Sequence, residues 1–336
     1  MQKKTYRFGS SSTDYYFAGG MSHLKEIVDQ KTAVIITDEN IFAAHQKRFK
    51  NWNTIVLKAG EQYKIQQTVD TVIEQLIEIG VDRKWTLVGV GGGVITDLTG
   101  YIASVFLRGI RFGFVPTTLL ALVDASIGGK NGIDVGLYKN MVGTIRQPSF
   151  ILHDLIFLKT LPEKEWRNGF AEIIKHACIK DTSMFNELEK KDLNFYQKKK
   201  SEACTLIQRN AMIKTKVVQT DEMESGERKL LNFGHTLGHA IENQYDLMHG
   251  EAVAIGMGFA SRLSEKLLKF KDAQRVENVL TQYGLPSGAT YNKDKVFSVV
   301  KGDKKKEKDF IHFILLERIG KGTIRPVPLD DLYEYL

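Results

Sequence analysis

The stretch Thr86-Leu87-Val88-Gly89-Val90-Gly91-Gly92-Gly93-Val94-Ile95-Thr96-Asp97 decides the fold. It opens on an apolar run without alternation, the mark of a strand buried on both faces, and runs straight into three glycines. Glycines at a strand end let the backbone approach a phosphate, and a following helix offers its N-terminus to an anion. The pattern is not the standard dinucleotide fingerprint, because Val94 stands where the third glycine belongs.

Working outward, the same grammar repeats. Residues 33–37 (AVIIT) form a β-branched run ending in Asp38-Glu39-Asn40, and residues 54–57 form another. A second glycine-bearing turn, Lys58-Ala59-Gly60-Glu61-Gln62-Tyr63-Lys64, follows that run. Residues 65–79 place apolar side chains at 65, 69, 72, 73, 76 and 77, a helical period that Gly80 stops. Residues 112–115 read as a further strand closed by Pro116. Strands buried on both faces and alternating with helices predict a parallel α/β sheet. From Glu163 onward the pattern is helical, with solvated Lys/Glu faces at 187–191 and 198–200. Residues 310–316 (FIHFILL) read as a short strand or a buried helix turn.

Composition narrows the class. The chain has 336 residues, 43% hydrophobic and 26% charged, which excludes disordered, collagen-like and disulfide-built chains. The net charge of +7 suits a small anion better than a nucleic acid, since no clustered basic–aromatic stripe accompanies it. Cys178 and Cys204 lack any CxxC or finger spacing, which points to free thiols in a reducing compartment. The N-terminal stretch MQKKTYRFGSSSTDYYF has no apolar signal core, and no apolar run approaches 18 residues. The expectation is a cytoplasmic protein with no membrane span and no nucleic-acid partner.

The second half carries the metal candidates. Asn232-Phe233-Gly234-His235-Thr236-Leu237-Gly238-His239-Ala240 puts two imidazoles on one helix face; His249-Gly250-Glu251 follows, and Glu172 lies upstream. Two histidines, one carboxylate and an open position make a catalytic metal site, and spacing alone leaves open which histidines pair. Basic residues recur: Arg108, Lys130 and Lys139 beside glycine or asparagine, with Lys175, Lys214, Arg228 and the run Asp303-Lys304-Lys305-Lys306. As a group they suit a substrate carrying phosphate and carboxylate.

The motifs GGGVITDLTG (91–100), FLRGIRF (106–112), VPTTLLALVDASIGGKNGID (115–134), KNMVG (139–143), DLIFLKTLP (154–162), GFAEIIKHA (169–177), DEMESGERKLLNFGHTLGHAIE (221–242) and HGEAVAIGM (249–257) resemble the 3-dehydroquinate synthases, in order and over nearly the full length. The resemblance implies a Rossmann-like NAD-binding α/β domain over 1–162, an all-α metal- and substrate-binding domain over 163–336, and a homodimer. It implies Glu172, His235 and His249 as ligands of Zn2+ or Co2+, which leaves His239 to face the substrate. Implied substrate contacts are Arg108, Asp124, Lys130, Asn140, Lys175, Lys214, Arg228, Asn232 and His239, with Glu224 nearby and a lysine of Lys304 and Lys305. Implied NAD contacts are Asp38, Gly60, Glu61, Gln62, Tyr63, Lys64, Gly92, Gly93, Val94, Asp97, Thr117, Thr118, Lys130, Lys139, Phe157, Leu158, Lys159 and Thr160. One departure stands out: Thr96 occupies a usual glycine position, where a positive φ would strain threonine.

The implied chemistry belongs to the shikimate pathway, which supplies chorismate and the aromatic amino acids. In it, 3-deoxy-D-arabino-heptulosonate 7-phosphate is transiently oxidised by NAD, loses phosphate, is reduced, opens its ring and closes by an intramolecular aldol step. The alternatives are sister sugar-phosphate cyclases acting on sedoheptulose 7-phosphate or glucose 6-phosphate, and a metal-dependent NAD alcohol or glycerol dehydrogenase, which would release NADH.

Overall fold

A computed structural model of the chain describes residues 1–336 except 137, 243, 246, 302–305 and 308. The chain divides into two compact units, Met1–Glu165 with Cys204–Met223, and Trp166–Ala203 with Glu224–Leu336.

The first unit is built on β1 (Gln2–Phe8), β2 (Ser11–Phe17), β3 (Ala33–Asp38), β4 (Asn53–Leu57), β5 (Thr86–Gly91), β6 (Arg111–Pro116) and β9 (Phe150–Leu152). These seven make one sheet in the order β1-β2-β9-β6-β5-β3-β4. Every pairing is parallel except β1 with β2. Ile35 pairs with Val88, and Val88 with Gly113, so the central strands stack their apolar residues in register. Val34, Ile35, Ile36, Leu87 and Val88 are fully buried, and each such side chain contributes about 1.5–3 kcal/mol relative to exposure. The helix Gln66–Ile79 lays Val69, Val72 and Leu76 on the core and ends at Gly80, whose φ of 81° is left-handed. Between β6 and β9 runs an antiparallel hairpin, β7 (Lys130–Val135) with β8 (Tyr138–Ile145).

The parallel arrangement puts the carboxyl ends of β3, β4, β5 and β6 on one edge, where open α/β sheets bind ligands. Asp38, the Gly60–Lys64 turn, Gly92 and Thr117 all follow directly from those ends.

The second unit is mostly helical. It holds most of the helix Glu163–Lys180, the helices His235–Glu242 and His249–Leu268, and shorter ones. The expectation of an all-α second half is corrected, because β10 (Lys306–Glu307), β11 (Phe310–Arg318) and β12 (Lys321–Pro328) form an antiparallel sheet. The β-branched and aromatic content of 310–316 settles the ambiguous run as a strand. Gly320, at φ 81°, supplies the turn into β12. Ile311, Phe313 and Leu315 pack with Ile255, Phe259 and Leu263 in one core. Among the described residues, no helix is long and apolar enough to cross a membrane.

Candidate active site

In the second unit three separate helices deliver one cluster. Glu172 comes from the middle of Glu163–Lys180, His235 opens His235–Glu242, and His249 opens His249–Leu268. Close backbone approaches bring these helices together. The Gly250 N–H donates to Asn168 Oδ1 at 2.6 Å, and a Cβ at Gly250 would lie 2.7 Å from the Asn168 backbone. A Cβ at Gly256 would lie 1.8 Å from the Gly234 carbonyl oxygen. The glycines of NFGHTLGHA and HGEAVAIGM thus let histidine-bearing helices touch.

The Nε2 atoms of His235 and His249 stand 3.4 and 3.3 Å from Glu172 Oε1. Ligands at about 2.0–2.1 Å from a tetrahedral ion stand about 3.4 Å from one another, so the spacing suits a divalent cation. The other ring nitrogens are occupied. His235 Nδ1 faces the Phe233 carbonyl at 3.1 Å, and His249 Nδ1 faces Glu242 Oε2 at 3.2 Å. An acceptor on Nδ1 holds a proton there and leaves Nε2 facing the cluster, the usual support for a histidine that binds a metal.

Electrostatics agree. Burial, aided by Lys175, lowers His235 to about 4, leaving a neutral imidazole. Burial works the same way on His249, but hydrogen bonds to Glu172 and Glu242 outweigh it and raise the ring to about 9. Burial disfavours charge on Glu172, yet Lys175 and His235 hold it well below the usual carboxylate range. Lys175 pairs with Glu172 Oε2. Two carboxylates facing one imidazole make a site that draws positive charge.

The structure groups His235 with His249 and Glu172. His239 is exposed, its ring 5.2 Å from that of His235 and 6.2 Å from that of His249. Asn232 Nδ2 donates to Glu224 Oε1 at 2.6 Å, and Arg228 is buried on the same short turn, Glu227–Asn232. Lys304 and Lys305 lie outside the described residues.

In the first unit the expected residues hang from strand ends and the β7–β8 hairpin. Asp38 closes β3, and its Oδ1 accepts the Asn40 and Ile41 N–H groups, each at 3.0 Å. Gly60, at φ 122°, turns the chain into Glu61–Tyr63. Lys64 is buried, and its ammonium bonds Asp97 Oδ2 and Asn140 Oδ1, both at 2.6 Å. Asn140 is left-handed at φ 54°, and its N–H donates to Asp134 Oδ1 at 2.7 Å. Lys64 therefore ties the glycine loop to the hairpin. Gly92 precedes the helix Gly93–Val105, whose first N–H groups have no partner within the helix. Thr96 sits in the first turn of that helix, its N–H bonded to the Gly92 carbonyl at 3.0 Å, so threonine meets no positive φ there. Val94 is half-buried on the same turn.

Thr117 N–H donates to the Gly91 carbonyl at 2.9 Å, and Thr118 Oγ1 accepts from Ala121 N at 3.1 Å. Lys130 and Lys139 are exposed on the hairpin. Phe157 and Leu158 are buried, leaving them backbone groups to offer, while Lys159 is exposed and Thr160 Oγ1 meets His45 Nε2 at 2.7 Å. Arg108 is exposed and left-handed at φ 62°, just after Leu107 at φ 49°. Asp124 pairs with Lys214, whose ammonium also bonds the Asp124 carbonyl at 2.9 Å.

Family models described as "3-dehydroquinate synthase N-terminal" and "3-dehydroquinate synthase C-terminal" match residues 54–168 and 169–306. A 3-dehydroquinate synthase of Methylacidiphilum infernorum is 45% identical over 286 residues, covering 83% of this chain and 78% of that one. This chain belongs to the 3-dehydroquinate synthase family. It is accordingly an enzyme, a carbon–oxygen lyase. A second 3-dehydroquinate synthase, from Campylobacter curvus, is 38% identical and covers 94% of each chain. Among solved structures, the fold is similar to a 2-epi-5-epi-valiolone synthase from Streptomyces hygroscopicus subsp. jinggangensis with NAD+ and Zn2+ bound. That match has a TM-score of 0.89, 26% identity, and coverage of 99% of this chain and 98% of that one. A 2-deoxy-scyllo-inosose synthase complexed with carbaglucose-6-phosphate, NAD+ and Co2+ gives a TM-score of 0.87 at 26% identity and the same coverage.

Sequence reasoning within the 3-dehydroquinate synthase motifs passed over Glu242, Asp134 and Asn168, which touch His249, Asn140 and Gly250. Glu242 carried a signal: it stands seven residues after His235 and three after His239, on the same helix face. Asn168, 82 residues from Gly250, carried none.

Proposed function

We propose that the chain converts 3-deoxy-D-arabino-heptulosonate 7-phosphate to 3-dehydroquinate and phosphate in the shikimate pathway. Glu172, His235 and His249 would hold Zn2+ or Co2+, and the carboxyl edge of the first unit's sheet would hold NAD. The observation that carries the reading is the convergence of the His235 and His249 Nε2 atoms on Glu172 Oε1, with both Nδ1 atoms facing acceptors. The glycine loop supports the cofactor reading, since Gly92 and Gly93 leave the helix N-terminus bare of side chains.

When bound, NAD takes and returns a hydride, and the metal acts as a Lewis acid toward the substrate's oxygens. The chain's own residues bind, orient and move protons. Arg108, Lys130, Asn140, Lys214, Arg228, Asn232 and a lysine of Lys304 and Lys305 offer donors for phosphate and carboxylate, which stabilise charge as phosphate leaves. His239 is exposed, and an imidazole is the side chain best suited to proton transfer in a site of this kind. Lys175 balances Glu172, and Glu224 orients Asn232. The exposed Val135, Tyr138, Met141, Val142 and Ile145 of the hairpin suit burial against a second copy of the chain, a homodimer. Cys178 and Cys204 form no disulfide, which suits a cytoplasmic setting.

Phosphate release tests the reading, with catalytic NAD+, with and without chelator, on three substrates: 3-deoxy-D-arabino-heptulosonate 7-phosphate, sedoheptulose 7-phosphate and glucose 6-phosphate. The expected result is chelator-sensitive release from the first alone, without NADH build-up. Release from a neutral sugar phosphate instead assigns the chain to a sister cyclase activity, and NADH accumulation assigns it to a dehydrogenase.

A further inference from the structure

Beneath the Asp124–Lys214 pair lies a buried layer of rings that the chemistry above does not use. Tyr15 and Phe17 point from β2, and His153 follows β9 directly; all three are buried. The His153 ring centroid lies 4.7 Å from Phe17 and 6.1 Å from Tyr15. The β2–β9 ladder fixes them, with Tyr15 opposite Ile151 and the His153 N–H on the Tyr16 carbonyl at 2.9 Å.

Each polar tip of this layer reaches one side of the pair. His153 Nε2 lies 3.3 Å from the Leu122 carbonyl, inside the π-helical turn Ala121–Ala125 that carries Asp124. A carbonyl only accepts, so the proton is on Nε2, and burial keeps the ring neutral by lowering it to about 4. Tyr15 Oη lies 3.0 Å from Thr215 Oγ1, beside Lys214 on the helix Lys200–Thr220. The π turn is closed by Ser126 N–H and Oγ on the Ala121 carbonyl, at 3.3 and 2.7 Å. Such turns need outside support, since they hold fewer well-aligned backbone bonds than an α-helix, and they recur at functional sites.

We propose that His153 is a positioning residue: its bond to the Leu122 carbonyl sets the turn that aims Asp124 at Lys214, while Tyr15 sets Lys214 through Thr215. The inference rests on the reading that Asp124 and Lys214 contact substrate. Leucine at 153 fills the volume without a donor, whereas glutamine keeps an N–H at the reach of Nε2.

Both variants are compared with wild type by hydrogen exchange of the amides of residues 126 and 127, kcat/KM, melting temperature and NAD affinity. H153L should exchange those amides several-fold faster and lose roughly tenfold in kcat/KM, as a sub-ångström misplacement in an aligned site would cost. Melting temperature and NAD affinity should stay at wild-type values, and H153Q should restore both exchange and activity. Wild-type kcat/KM in H153L overturns the proposal. So does a loss shared equally by both variants and tracking melting temperature, the mark of a purely structural histidine. A parallel D124N variant separates the two readings: full turnover there removes Asp124 from the substrate site, whatever the exchange at 126 and 127 reports.

Discussion

The two units build their sites by opposite means. In the first, Asp38, the Gly60–Lys64 turn and Gly92 stand where parallel strands end, so each is placed by a strand adjacent in sequence. In the second, Glu172 and His249 meet across 77 residues, because three helices approach at glycines. A sheet edge gathers groups by topology and needs only that each strand form. A helical cluster gathers them by packing and fails if one interhelical contact opens. The hydrogen bonds differ accordingly. Asp38 bonds its own following turn, while Glu172, His235 and His249 bond across helices.

Removing a cluster member tests the contrast most severely. H235A should lose bound metal and about 10³-fold or more in turnover, the scale of several kcal/mol that such an ion supplies, while retaining NAD affinity. Metal analysis beside NAD titration checks it, and full metal with full turnover would end the assignment. One substitution made in both units sharpens the comparison next. G256A drives a methyl into the Gly234 carbonyl, and should cost about 3 kcal/mol by urea unfolding, since overpacked cores lose 1–3 kcal/mol and backbone cannot step aside. G80A has open space around it and only its left-handed φ to contend with. It should cost about 1 kcal/mol, with metal content and NAD affinity unchanged. Equal losses in the two alanine variants would mean that packing at Gly256 is softer than the geometry demands.

Legibility in the sequence followed the same divide. The runs 33–37, 54–57, 86–90 and 112–115 match β3, β4, β5 and β6 to within a residue or two, because strands buried on both faces leave unbroken apolar runs. β8 left no such trace: none of its residues is buried, so no periodicity marks it. The helical cluster was legible as a set of residue types in one region, not as a pairing. Four-residue spacing puts His235 and His239 on one helix face and leaves the pairing open; the geometry brings His235 and His249 to the same Glu172 oxygen, and only the resemblance to a family pointed there. Lys64 shows the limit in the first unit. Its neighbours Asp97 and Asn140 are 33 and 76 residues away, and no local pattern announces a lysine buried between them.

The path of the chain has a consequence for how the molecule comes into being. Residues 204–223 return to the first unit after the chain has left it at 165. They bring Ala211 into its core and Thr215 to Tyr15. Domains fold during synthesis as their residues emerge, N-terminal ones first. Here the N-terminal unit cannot close until residue 223 has cleared the ribosome, by which time the whole helix bearing Glu172 is already outside. The first unit is the first to start and is barred from finishing alone, and a chain cut at 165 would expose the apolar face that Ala211 covers.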